Sequence, residues 1–167
     1  MMLNNKKTGL ISLFTLLLIH ATVSFADAPV NQSPNLQASQ QNQHVFSLQD
    51  YQEDFNLFID MYENIDWQSV TAVSINTDVP KPKELARVIK GVQAISNHAK
   101  ALNFKTTEGQ QVQQDFIENN DFSIQGFQNQ SKLKQDKGFQ QQMVQKSNQL
   151  EQKLAISLGA LKDLAEQ

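Results

Sequence analysis

Two histidines, His44 and His98, are the only imidazoles the chain holds beyond its first 26 residues, and it has no cysteine. A Ser-His-Asp triad would have to draw its base from one of those two. No GxSxG elbow places a nucleophile, and no glycine-rich loop follows a strand to cradle phosphate. HExxH, paired Glu-x-x-His and CxxCH are missing too, so zinc, di-iron and haem sites have no ligand pattern to build on. His98 sits on the flank of an apolar stripe and reads as a structural or solvent-facing residue. Carboxylates are too many for any pair of them to mark an acid and a base. The chain reads as non-enzymatic and without a cofactor; a small hydrolase or metal binder with a site of unfamiliar pattern is the third-ranked reading.

Charge is more informative than motif. The stretch from Pro80 to Gly91, PKPKELARVIKG, carries Lys81, Lys83, Arg87 and Lys90 against one acid, Glu84, and Arg87 is the only arginine in the chain. Six bases and one acid fall between residues 81 and 105. The segment beginning at Ser47 is the opposite, with Asp50, Glu53, Asp54, Asp60, Glu63 and Asp66 and no base. Calcium uses such acids, but their spacing is not that of a D-x-D-x-D-G loop. Two explanations compete for the basic stretch. Either it pairs with the acidic helix edge, where each exposed pair is worth about 0–1 kcal/mol, or it docks an anionic partner. At 100° per residue, Lys83, Arg87 and Lys90 project opposite the apolar stripe of their own segment, so they read either as a plain solvated helix face, the first-ranked reading, or as a docking surface. The partner is then an acidic protein or an anionic membrane surface of phosphoinositide-like or phosphorylated character. Four basic residues at about 1 kcal/mol each would supply roughly a thousandfold enrichment on such a surface.

Those charges need elements to carry them. Leu48, Tyr51, Phe55, Phe58, Ile59, Tyr62 and Ile65 recur at three- and four-residue spacing, which predicts a helix from Ser47 with a Ser47–Asp50 capping box. Leu57 and Met61 fall on its polar side. They are expected to be either ordinary exposed residues or a small patch covered by a partner helix or second subunit. A second helix is predicted over about 83–103, opened by Pro82, with Leu85, Val88, Ile89, Val92, Ile95, Ala99 and Leu102 inward. A third starts at Thr107, with Gln110 completing a capping box, and carries Val112, Phe116, Ile117, Ile124 and Phe127; Asn119–Asn120–Asp121 is expected to break it. Gly138 and Phe139 read as a helix C-terminus, with Phe139 reaching back to Leu133. A fourth helix runs from about Phe139 to Ala165. Its positions 143, 147, 150, 154, 157, 161 and 164 form a coiled-coil-like seam. Fourteen glutamines between residues 110 and 152 read as the solvated sides of these helices.

The predicted fold is all-α, an antiparallel four-helix bundle over residues 45–167. Two helical hairpins completing a core by dimerisation are the alternative. Residues 27–44 are polar and read as a disordered leader. Residues 1–26 read as a cleaved signal peptide: Lys6 and Lys7, the apolar run Leu10–Ile19, then Ser24 and Ala26 at the small-residue positions. Export from a bacterium to the periplasm or the medium follows. Removing the signal leaves 12 basic and 17 acidic residues, a net charge of −5, which argues against general nucleic-acid binding. The leading reading is an exported interaction protein that binds through a helix face, with a homodimer possible.

Overall fold

The computed structural model describes residues 45–67, 70 and 82–167. The expectations placed on residues 1–26 and 27–44, on His44 and on Lys81 lie outside the described residues. Phe46–Gln167 forms one compact unit. Among the described residues the structure is all-helical, with five helices and no strand: α1 Leu48–Glu63, α2 Pro82–Ala101, α3 Thr107–Gln128, α4 Gln130–Gln135 and α5 Lys137–Ala165. A four-helix bundle, with α4 as a short extra turn between α3 and α5, fits this coarsely.

Each start has a local cause. Ser47 and Asp50 form the expected reciprocal capping box at α1. Pro82 is the first residue of α2, where its missing N–H costs nothing. The α3 cap lies one residue before the predicted one: the Thr106 side chain accepts from the Gly109 N–H at 2.9 Å. Asp136 caps α5 through the Phe139 N–H at 2.9 Å.

Two boundary expectations are corrected. Asn119–Asn120–Asp121 does not interrupt α3, because Phe116, Ile124 and Phe127 on either side of it are buried. Packing outweighs a propensity loss of at most about 0.7 kcal/mol per residue. Gly138 is not a C-cap but lies in the first turn of α5. Phe139 meets Lys132, whose Nζ stands 4.2 Å from the ring centroid.

Helix α3 is central, packing against α5, α2 and α1, while α1 also packs on α5. The core gathers Phe58 and Met61 of α1, Ala99 of α2, Phe104 of the following link, Val112 and Phe116 of α3, and Leu161 of α5. The Phe58 and Phe116 rings meet edge-on at 5.6 Å and 87°, the arrangement that ring quadrupoles favour. The Gln113 side-chain amide donates to the carbonyls of Ala99 (2.6 Å) and Leu102 (2.9 Å), which ties the start of α3 to the end of α2. Gln52 donates to the Ala165 carbonyl at 3.1 Å, which ties the start of α1 to the end of α5. One end of the unit therefore collects the starts of α1 and α3 with the ends of α2 and α5. The other collects the start of α2, the end of α3, all of α4 and the start of α5.

Candidate functional site

Helix α2 buries Val88, Val92, Ser96 and Ala99. Across the helix from them, Lys83, Arg87 and Lys90 are all exposed. They form a row about 10 Å long at 1.5 Å per residue. This row does not help the helix. Lys83 stands in the first turn, at the positive end of the dipole, where a cation is disfavoured. Lys83 and Arg87 are four apart and Arg87 and Lys90 three apart, like-charge spacings that cost about 0.2–0.5 kcal/mol each. Only Glu84 offsets them in that turn.

The other bases of the stretch behave differently. Lys105 bridges Asp50 at 3.3 Å and Glu53 at 2.5 Å, and Lys100 reaches Asp121 at 4.0 Å. Attraction between acidic and basic edges thus accounts for Lys105. Hydrogen bonds from Ser47, with Lys105 adding to them, lower Asp50 to about 2. The Lys105 hydrogen bond also lowers Glu53, and Glu53 and Asp50 raise Lys105 in return.

The acidic segment does not remain a solvated face. Asp54 is only 1% exposed. Its Oδ1 accepts the Lys105 N–H at 2.9 Å; its Oδ2 accepts the Thr106 N–H and hydroxyl at 2.7 Å each. Asp60, Glu63 and Asp66 are exposed. Among the described residues no group of three or more His, Asp or Glu is placed to hold a metal ion. The expected Leu57–Met61 patch is also corrected. Met61 is 5% exposed and belongs to the core, and Leu57 packs half-buried against it. The chain's own helices cover both. His98 is exposed on α2.

A second polar cluster joins α3 to α5. Asp115 of α3 is 1% exposed. Its Oδ1 receives Lys153 of α5 at 2.9 Å and the Gln111 amide at 2.7 Å. Lys153 also binds Glu118 at 2.9 Å, and Lys146 approaches Glu118 at 3.7 Å. The Lys153 hydrogen bond lowers Glu118; Asp115 and then Glu118 raise Lys153. The sequence signal was present as two acids and two lysines at helical spacing, but pairing them needs the register of α3 on α5.

Among the described residues, the Lys83–Arg87–Lys90 row is a concentrated charge feature on a single helix, while Asp50, Glu53 and Asp54 are engaged at the start of α1. No protein-family model matches this chain, no curated protein matches it in sequence, and no solved structure matches its fold.

Proposed function

We propose that the chain is an exported, non-enzymatic interaction protein: an antiparallel four-helix bundle that binds an anionic macromolecular partner through the outward face of α2. The observation that carries this reading is the exposed row of Lys83, Arg87 and Lys90, opposite the buried Val88 and Val92. Lys83 opposes the dipole of its own helix and the three like charges repel one another, which supports a use for the row outside the fold. Export rests on Lys6, Lys7, the apolar run Leu10–Ile19 and the small residues Ser24 and Ala26.

The test is a comparison of three baits: the unaltered mature chain, K83A/R87A/K90A, and a control altered at the exposed Gln141 and Gln145 of α5. A partner retained by the first and third and lost by the second supports the reading. A partner retained equally by all three refutes the choice of face. Analytical ultracentrifugation of the same samples checks the alternative architecture, two hairpins closing a core as a dimer.

A further inference from the structure

We propose that the docking face extends from α2 across the end of the bundle onto α4 and the start of α5, and that it seats on an anionic lipid bilayer. This rests on the reading of α2 as a docking face and adds to it both a second set of residues and an occupant. Helices α2 and α3 run antiparallel through the Gln113 bonds to Ala99 and Leu102. Their 20 and 22 residues span about 30 and 33 Å. The start of α2 is therefore level with the end of α3, where α4 and the first turn of α5 follow. That end carries Lys83, Arg87, Lys90, Lys132, Lys134 and Lys137, all exposed.

Only two acids accompany these six cations over residues 82–92 and 122–140, Glu84 and Asp136, which leaves a net charge of +4. Asp136 caps the Phe139 N–H through its Oδ1. The remaining described residues sum to −8. These cations therefore gather at one end of a unit whose total is acidic.

This distribution suits a bilayer better than an acidic protein. The cations come from three separate helices at one end, whereas an acidic helix laid along α2 would meet only the 10 Å row. A bilayer presents negative charge over a plane and demands no register. It also repels the acidic remainder of the unit, which turns the lysine-bearing end toward the surface. Leu133 and Phe139, half-buried among the lysines, give the same end some apolar surface, and Lys132 already lies over the Phe139 ring. Each Lys or Arg near an anionic leaflet contributes about fivefold in partition, so removing three costs about a hundredfold.

The experiment is co-sedimentation of the mature chain at low salt with two vesicle populations: phosphatidylcholine alone, and an equal mixture of phosphatidylcholine and phosphatidylglycerol. Polyglutamate serves as a soluble acidic probe. Binding to the mixed vesicles only is expected, with about a hundredfold loss for K83A/R87A/K90A and a similar loss for K132Q/K134Q/K137Q. Far-UV circular-dichroism melts matched to the unaltered chain confirm that the variants are folded. A salt titration of the unaltered chain is a second readout, with release as salt rises expected; salt-insensitive binding overturns the proposal. If the α4 and α5 variant sediments like the unaltered chain while the α2 variant does not, the extension is wrong and the α2 face stands. If polyglutamate binds and the vesicles do not, the bilayer is the wrong occupant and an acidic protein takes its place.

Discussion

The carboxylate of Asp54, on α1, accepts both the backbone N–H and the hydroxyl of Thr106, each at 2.7 Å. The same hydroxyl accepts the Gly109 N–H at 2.9 Å. A helix start leaves N–H groups without intrahelical partners, and here one is met by Thr106 while Thr106 itself is met by a carboxylate from another helix. The link between α2 and α3 is thereby fixed against α1, and Lys105 closes the outside of the junction on Asp50 and Glu53.

Removing the carboxylate strands buried donors. Asp54→Ala is expected to lose about 3 kcal/mol or more, since hydrogen bonds to a charged group are worth about 1.5–3 kcal/mol and unmet buried donors add a penalty. Thr106→Val should lose about 1–2 kcal/mol through the missing cap. The double variant should lose less than the two losses added together, because the residues act as one relay. Urea denaturation of the four proteins measures this; strict additivity would mean the relay does not exist.

Two glycines should respond oppositely to alanine. A Cβ at Gly109 would collide with the Asp54 carboxylate and stand 2.9 Å from the Phe104 ring, so Gly109→Ala should destabilise by about 1–3 kcal/mol. A Cβ at Gly159 meets nothing within 4 Å. Gly159→Ala should stabilise by about 0.5–1 kcal/mol through backbone entropy within α5. Thermal melts that move both variants in the same direction would contradict this assignment.

What the sequence made legible follows from how local the cause was. The α5 seam at 143, 147, 150, 154, 157, 161 and 164 is buried or half-buried throughout, because heptad spacing alone sets it. The Ser47–Asp50 box spans four residues and was equally readable. Asp54 was not: an acid on a helix reads as solvated, and the N–H groups that justify its burial lie at Lys105 and Thr106, brought near only by the fold. Met61 was not legible for the same reason: the buried face of α1 holds Asp54, Phe58 and Met61 together, a face that includes an acid and so escapes a reading based on apolar spacing. The Lys83–Arg87–Lys90 row was visible because one helix carries it. Its continuation onto Lys132, Lys134 and Lys137 required the α2–α3 hairpin.

The α1 capping box should titrate. Asp50 is lowered from 3.8 to about 2 in the folded protein, first by its hydrogen bonds with Ser47. A depressed acid stabilises the fold above its unfolded value and loses that contribution as pH falls through its folded value. The N-terminal turn of α1 should therefore loosen between about pH 4 and pH 2. Amide exchange at residues 48–52 is expected to quicken over that window. Ser47→Ala should move the Asp50 transition upward; an unmoved transition would show that the box is not its cause.

The Asp115–Lys153 contact joins a buried carboxylate to a half-exposed lysine. Solvent screens the lysine, so the pair is worth less than a fully buried one. Lys153→Met should still cost about 1–2 kcal/mol, since it leaves Asp115 with only Gln111 to meet its charge. Adding Asp115→Asn to that variant should recover part of the loss by removing the uncompensated charge. Chemical denaturation checks both steps, and a double variant less stable than Lys153→Met alone would contradict the charge argument.

Stability and docking should separate at Lys83. Its ammonium lies in the first turn of α2 and four residues from Arg87, so it opposes the helix dipole and repels its neighbour. Lys83→Glu reverses both effects and should stabilise the protein by about 0.3–1 kcal/mol. The same change removes two units of positive charge from the proposed docking end, and binding to anionic vesicles should fall by more than tenfold. A merely solvated helix face would gain the stability and show no binding to lose. A docking face gives a higher melting temperature together with weaker sedimentation, measured on one sample. That pairing of opposite signs cannot arise from partial unfolding, which would lower both.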